Sequence, residues 1–235
     1  EPGREQDKVG MAMLEPLGIS KGEPFDPDER QSRILLEGVA LGELMARNLQ
    51  VVPRFAEPYW PATSWYKSFD FSMPQATDVK VEMDERTTWF YEAVSATKGM
   101  VTPSVGKGQI YMTTKRDSDG NLLRADQTYR LSVPAAVPAA QFWSLTLYSE
   151  NTRRPYDNGG DSIESINLDS RMEQLDYNND GSIDLFIGAE APVGKETNFM
   201  QTVGDDGWFV YFRLYAPIEP FFDKTFSLPD FEVVA

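Results

Sequence analysis

The sequence predicts an α+β fold in which an N-terminal helical segment packs on a C-terminal antiparallel β-sandwich of the jelly-roll kind. Before residue 50, apolar residues recur at close to the 3.6-residue period of a helix, whereas from Gly108 onward they alternate with a period of two. The later segments are separated by turn signals at intervals of about 8–20 residues, which is typical of sandwiches and jelly rolls. We therefore expect a helical linker region over residues 1–104 and a β domain over residues 105–235.

Three segments of the first region are predicted to be helical. Residues 5–18 indicate a short helix. A longer helix, reaching to about residue 50, has Asp26 as its predicted N-cap and Pro27 at its first position. A third is expected from Asp84 to about residue 98, with Gly99 as its stop. Between the last two lies an aromatic connector, residues 55–74, whose rings we expect to cover the core.

The β domain is predicted from alternating segments and turns. Asp119–Gly120 indicates a hairpin turn, and a second Asp-Gly turn at Asp180–Gly181 leads into alternating Ile183, Leu185 and Ile187. The strand segments are QTYRLSVP, QFWSLTLYS and WFVYFRLYAP. In the last of these, Phe209, Tyr211 and Arg213 should face away from Val210, Phe212 and Leu214.

Composition excludes several classes of chemistry. The 235 residues contain no cysteine and no histidine, so this chain supplies no thiolate, disulfide, imidazole base or His/Cys zinc site. A net charge of −15 disfavours nucleic acid and anionic membrane surfaces as partners. No apolar run reaches the roughly 20 residues of a membrane span, and no signal peptide is present. Because the chain opens at Glu1 in a polar stretch, we expect it to be part of something longer.

Several motifs, in register, resemble a known bacterial family. They are LGISKGEPFDPDERQSRILLEGVALGELMA, DERTTWFYEAVSATKGM, FWSLTLYSENTR, DGSIDLFIG, PVGKETNFMQT and FRLYAPIEPFFDKTFSLPD. Together they resemble the C-terminal half, and the preceding helical linker, of the family of domains of unknown function 1254 and 1214. The sequence departs from the family pattern at Phe199, at Gly188–Ala189 and at Ser149.

The resemblance implies a fold and a compartment but no activity, because the family has no agreed one. It implies a missing N-terminal half of comparable size and a secretory or lipoprotein signal on the precursor. We therefore expect a periplasmic or secreted protein that pairs with that half or with a second chain.

One loop has the spacing of a calcium site. Asp176, Asn178, Asp180 and Asp184 place oxygen donors at alternate positions, with a glycine sixth, as in the first nine positions of a calcium loop. Position twelve, normally acidic, is Ile187. The alternative is a turn whose Asp and Asn side chains bond their own backbone.

Polar residues at strand ends form the candidate ligand site. The residues are Tyr148, Arg153, Asn198, Trp208, Arg213 and Tyr215. Arg213 either pairs with a carboxylate such as Asp180 or Glu196, or converges with Arg153 and Tyr148 on a carboxylate or sugar ligand. Trp208, if exposed at its strand start, could stack on a sugar ring, whereas Trp143 is expected in the core.

Two functions from different classes follow. The first is a binding or structural module that forms a homo-oligomer or pairs with the missing half. The alternative is a hydrolase or other enzyme acting on a small-molecule or carbohydrate substrate through carboxylates and tyrosine, with Asp180, Asp184 and Glu196 as candidates.

Overall fold

The computed structural model describes residues 8–51, 57–68, 75–92 and 103–234, and the chain divides into two compact units, residues 1–50 and 51–235. The helices are α1 Lys8–Leu14, α2 Glu29–Val51, α3 Met83–Glu92 and α4 Glu219–Phe222, with short 3-10 turns at Glu15–Leu17, Ile163–Ile166 and Glu196–Asn198. The strands are β1 Tyr66–Lys67, β2 Gln109–Thr114, β3 Tyr129–Val133, β4 Ala139–Ser149, β5 Asn167–Asp169, β6 Ile183–Gly188, β7 Phe199–Gln201, β8 Trp208–Pro217 and β9 Glu232–Val233.

The long helix α2 begins two residues later than the sequence predicts. Its cap is Asp28, not Asp26, because the Asp28 Oδ1 atom accepts a hydrogen bond of 2.7 Å from the backbone N–H of Gln31. Pro27 therefore precedes the cap. The third predicted helix, α3, is described as far as Glu92, so its predicted end and its Gly99 stop lie outside the described residues.

Two sheets form the second unit, as the alternating segments predict. One has the strand order β1-β2-β8-β4-β5 and is antiparallel throughout; the other has the order β7-β6-β3-β9. The predicted antiparallel β-sandwich is confirmed, with the difference that one pair, β6 and β7, runs parallel. The linking segment crosses over through the 3-10 turn at Glu196–Asn198, and short crossovers of this kind leave no hydropathy signal in the sequence.

The core is built from one face of each sheet. Strand β8 contributes Trp208, Val210, Phe212 and Leu214 to the core, and strand β6 contributes Ile183, Leu185 and Ile187. The predicted alternation on both strands is therefore confirmed. Trp143 is also buried there, as expected. The remaining residues of β8, which face the other way, are those that concern function.

The aromatic connector belongs to the sandwich unit, so the unit boundary lies near residue 50 instead of near residue 104. Trp60 and Trp65 have no accessible surface, and the Trp65 indole N–H donates to the carbonyl of Pro229 at 2.8 Å. Ser64 adds hydrogen bonds from its amide and hydroxyl to the Asp230 carboxylate. These contacts join the connector to the C-terminal segment, which explains why the two segments fold as one unit.

Candidate functional site

The face of the five-stranded sheet that points away from the core is polar and aromatic; we call it the outer face. It exists because residues alternate along each strand, so that every second residue of β2, β4 and β8 lies on this side. Its members are Tyr66, Gln109, Tyr111, Thr113, Phe142, Ser144, Thr146, Tyr148, Asn167, Asp169, Phe209, Tyr211, Arg213 and Tyr215.

Arg213 lies at the centre of the outer face. Its Nη1 atom donates to Thr146 Oγ1 at 2.6 Å and its Nη2 atom to the Tyr148 hydroxyl at 2.7 Å. The guanidinium carbon lies 5.1 Å from the centre of the Tyr111 ring and 5.4 Å from that of Tyr211. In the described part of the chain no carboxylate lies within ion-pair distance of this half-buried cation. The expected pairing with Asp180 or Glu196 is therefore wrong, because those residues lie before and after β6, a strand of the other sheet.

A chain of hydrogen bonds through the neighbouring strands β4 and β5 holds the Arg213 side chain in place. Thr146 accepts from Arg213 and donates to Asn167 Oδ1 at 2.7 Å, and Asn167 Nδ2 donates to Asp169 Oδ2 at 3.3 Å. Asp169 in turn accepts from Nε and Nη2 of Arg171. Burial raises the pKa of Asp169, but the hydrogen bonds and charge of Arg171, together with the hydrogen bond from Asn167, outweigh burial and lower it, so the carboxylate stays ionised. Arg213 is thus fixed through the neighbouring strands without a charge partner of its own.

Aromatic rings surround the guanidinium of Arg213. Tyr215 is stacked on Phe142 at 3.9 Å, and the Tyr148 and Tyr211 rings meet edge-on at 4.9 Å. Tyr111, which faces Arg213 across the strand pair, meets Tyr211 at 5.9 Å. Burial raises the pKa of Tyr111 while the nearby Arg213 lowers it in part, and the phenol is neutral at physiological pH.

A second polar group lies under helix α3. The Glu92 carboxylate accepts a very short hydrogen bond from the Tyr211 hydroxyl and pairs with Arg153 Nη2 at 3.3 Å. The side chains of Glu92 and Arg153 are only 4 % and 14 % exposed. Burial and the neighbouring Glu92 carboxylate raise the pKa of Tyr211 well above its ordinary value, so the tyrosine is the proton donor in this pair.

Lys115, one residue beyond β2, completes that group. It is 2 % exposed, and its ammonium donates to the Tyr66 hydroxyl at 2.9 Å and lies 4.8 Å from the centre of the Phe209 ring. Burial lowers the pKa of Lys115 to about 8. A pKa this far below the ordinary value of a lysine makes Lys115 a candidate functional residue.

One comparison with known proteins matches most of this sheet to a family model. Residues 108–219 match the family model described as "Protein of unknown function (DUF1214)". The matched residues, which include strands β2 to β8, are similar to a DUF1214 domain. This match confirms the resemblance predicted from the sequence for domain of unknown function 1214; it does not extend to domain 1254. No curated protein matches the chain.

Solved structures give distant matches to the whole chain. The VPA0106 protein from Vibrio parahaemolyticus is similar at 16 % identity and a TM-score of 0.49, over 97 % of this chain and 51 % of that one. A putative uncharacterized protein from Burkholderia cenocepacia is similar at 14 % identity and a TM-score of 0.39, over 97 % and 49 %. The chain thus spans about half the length of these matched structures.

The matched region brings four of the six predicted ligand residues onto or beside the outer face. Tyr148, Arg213 and Tyr215 lie on it, and Arg153 lies over the Phe209 ring at 4.2 Å. Their role in binding stays a prediction. The contacts of Arg153 show that it belongs with Glu92 and not with Arg213, so the predicted convergence of the two arginines is replaced by two neighbouring groups.

The other two predicted ligand residues have structural positions in the matched region. Trp208 has no accessible surface and packs edge-on against Tyr129, so it lacks the exposure that stacking on a sugar requires. Asn198 is 2 % exposed; its amide accepts from the N–H of Asp176 and donates to the carbonyls of Asp176 and Asp184. Both N–H groups and the oxygen of its amide therefore bond backbone groups before and within β6.

The proposed calcium loop is a hydrogen-bonded turn. Asp180 accepts from the amide and hydroxyl of Ser182, Asn178 donates to Ser182 and Asp184, and Asp184 accepts from Ser132. Within the described ranges no group of three or more acidic, His or Cys side chains is arranged to hold a metal. Asp176 is joined to the turn through its backbone, by Asn198. The turn is held by its own hydrogen bonds without a metal, and calcium binding stays a prediction.

Sequence reasoning missed Glu92, Lys115, Tyr111 and Thr146. The last two could have been found, because Tyr111 and Thr146 alternate with buried residues on predicted strands, as Arg213 does. Glu92 and Lys115 could not have been found, because their contacts depend on how α3 packs on the sheet and on where the chain goes after the end of β2. In the described part of the chain, no helix is both long enough and apolar enough to cross a membrane.

Proposed function

We propose that residues 51–235 form a ligand-binding module that holds the carboxylate of a small ring-containing molecule at Arg213. One observation carries the proposal. Arg213 is a half-buried cation, fixed by Thr146 and Tyr148, with no carboxylate within ion-pair distance among the described residues. A guanidinium that is partly desolvated and uncompensated costs free energy that a carboxylate ligand would recover.

The surroundings of Arg213 favour a ring beside the carboxylate. Tyr111, Phe142, Tyr148 and Tyr215 are all partly exposed around it, and aromatic faces bind flat or C–H-rich rings. A uronic acid and an aromatic acid share this chemistry. Because Arg213 is already oriented by the protein, little side-chain entropy is lost on binding.

The hydrolase alternative gains no support from two of its three candidate carboxylates, Asp180 and Glu196. Hydrogen bonds from Ser182 lower the pKa of Asp180, and backbone N–H groups lower that of Glu196. A general acid needs the opposite shift, which burial or a second carboxylate would supply. These two residues therefore fit turn-stabilising roles, and we favour binding over hydrolysis.

The compartment and the partners rest on the family resemblance. We propose an exported protein, periplasmic or secreted, in which this chain pairs with an N-terminal half or assembles with further copies. Native mass spectrometry of the protein from its natural source tests this. A mass about twice that of this chain, or a second polypeptide, would support the proposal, and an isolated monomer of this chain alone would oppose it.

Binding is tested by calorimetric titration with glucuronate, benzoate and neutral glucose. We expect saturable binding of at least one carboxylate and none of glucose. Replacing Arg213 with Gln should weaken that binding by roughly 30-fold or more, because two charge-assisted hydrogen bonds are lost. The matched control is Arg130→Gln, which removes an exposed arginine from the other sheet. Equal affinity in wild type and the Arg213 variant would overturn the proposal.

A further inference from the structure

A second cationic group on the same sheet has hydrogen-bond donors that nothing in the protein uses. The Nε and Nη1 atoms of Arg153 are buried and have no hydrogen-bond partner in the described part of the chain. Only Nη2 is used, by Glu92 at 3.3 Å. Leaving buried guanidinium N–H groups unpaired is costly, and such groups usually indicate a missing ion or water.

Lys115 adds a second positive charge at the same place. Its ammonium lies 4.8 Å from the centre of the Phe209 ring, and the Arg153 guanidinium carbon lies 4.2 Å from that same centre. The ammonium donates one hydrogen bond, to the Tyr66 hydroxyl, and forms no ion pair with a carboxylate among the described residues. Of these two cations only Arg153 pairs directly with a carboxylate of the described residues, that of Glu92, which also accepts a hydrogen bond from Tyr211.

The backbone at Arg153 indicates that this arrangement is maintained at a cost. Arg153 has φ +63°, in the left-handed region that is unfavourable for residues other than glycine. Two backbone hydrogen bonds of the turn enforce this conformation. The N–H of Arg153 donates to the carbonyl of Ser149, and the N–H of Ser149 donates to the carbonyl of Arg154. The turn directs the guanidinium inward over Phe209 and Tyr91. Strain of this kind persists where surrounding contacts, or a ligand, hold it in place.

We propose that Arg153 and Lys115 form a binding site for a small inorganic oxyanion, separate from the carboxylate site at Arg213. A tetrahedral oxyanion presents several acceptors, which suits two unused guanidinium N–H groups and an ammonium with unused hydrogens. It would also neutralise the second buried cation. Arg213 lies in the neighbouring group, held by Thr146 and Tyr148, so the two sites do not share a donor.

Binding at this site should depend on pH in a defined way. Burial lowers the pKa of Lys115 to about 8, and an anion binds its protonated form. Affinity for sulfate, whose charge is constant over this range, should be flat below pH 8 and fall above it. The titratable and charged groups around Lys115 are Tyr66, Glu92, Glu150 and Arg153. Arg116 and Tyr211 act on its hydrogen-bond partner, Tyr66.

The test is calorimetric titration of the full chain with sulfate at constant ionic strength, against chloride. We expect saturable sulfate binding that weakens at least about tenfold in Arg153→Gln and in Lys115→Met. The matched control Arg154→Gln removes an exposed arginine one residue away and should bind as wild type does. If Arg153→Gln fails to fold, Arg153→Lys keeps the charge but removes the unused donors and should show the same loss.

Three results would overturn the inference. The first is no sulfate binding beyond that of chloride, which would assign the unused donors to water. The second is equal binding in wild type and the Arg153 variants. The third is loss of sulfate binding in Arg213→Gln but not in Arg153→Gln, which would assign the anion to the carboxylate site instead. Failure of the Arg213 proposal alone leaves the expected sulfate result unchanged, so the two proposals fail separately.

Discussion

At the scale of single residues, the type of a side chain predicts that it is a candidate for binding, but its neighbours decide whether its hydrogen-bonding groups are free to bind a ligand. Arg213 and Tyr148 were recognisable as polar residues on otherwise apolar strands, and they do meet, at 2.7 Å. Asn198 looked similar in the sequence, yet its amide is consumed by backbone groups of Asp176 and Asp184. Nothing in the sequence distinguishes the two cases, because the distinction lies in contacts between residues far apart in the chain.

Lys115 gives a prediction that depends on its burial. Its pKa is about 8 in the folded protein and 10.5 ordinarily, so between these values the folded chain holds fewer protons than the unfolded chain. Stability should therefore rise with pH through this window, by on the order of 3 kcal/mol relative to Lys115→Met, in which the titrating group is absent. Urea unfolding at pH 7 to 10 in sulfate-free buffer, followed by tryptophan fluorescence, measures the difference.

The control for that experiment is Lys107→Met, which removes an exposed lysine from the same unit and should leave the pH dependence as in wild type. All five tryptophans lie between residues 60 and 208, so their fluorescence reports on the sandwich unit. A stability difference between wild type and Lys115→Met that does not change with pH would show that the buried amine does not titrate as stated.

At the scale of elements, periodicity predicted the strands better than it predicted their partners. The alternation of β6 and β8 placed Ile183, Leu185, Phe212 and Leu214 in the core correctly. The parallel pairing of β6 with β7, and the irregularity in the β4–β8 register between Ala139 and Phe142, left no such signal. Pairing is set by connections and by packing across the sandwich, which a local period of two does not contain.

The end of β6 gives a prediction at this scale. A Cβ atom built at Gly188 would lie 2.6 Å from the Cα of Thr128, which is backbone of the segment leading into β3 and cannot move independently. Gly188→Ala should therefore destabilise the sandwich by about 1–3 kcal/mol through overpacking. The same change at Gly42, where nothing lies within 4 Å, should not destabilise the protein. Urea unfolding followed by circular dichroism, to which both units contribute, measures both variants, and a midpoint for Gly188→Ala equal to that of wild type would contradict the prediction.

At the scale of the whole molecule, composition decided more than any motif. The absence of histidine and cysteine leaves arginine, lysine, tyrosine and carboxylates to form any site, and the outer face is built from those types. The fold class followed from where the hydrophobic period changes. The unit boundary could not be predicted in this way. The sequence of the aromatic connector is typical of a loop, whereas Trp60 and Trp65 are core residues of the sandwich.

Calcium provides the last prediction, since a metal bound only to the native state would raise the melting temperature of the protein. Ser182 engages one oxygen of Asp180, and Ser132 and Asn178 engage the two oxygens of Asp184. Asn178 directs its amide N–H group, not its oxygen, toward Ser182 and Asp184. We therefore expect the same melting temperature in millimolar calcium and in excess chelator, measured by tryptophan fluorescence. A rise in calcium that magnesium does not reproduce, and that Asp180→Asn abolishes, would instead show that the turn reorganises around the ion. The hydrogen bonds of Asn178 would then have to reverse, because its amide oxygen is the atom that calcium binds.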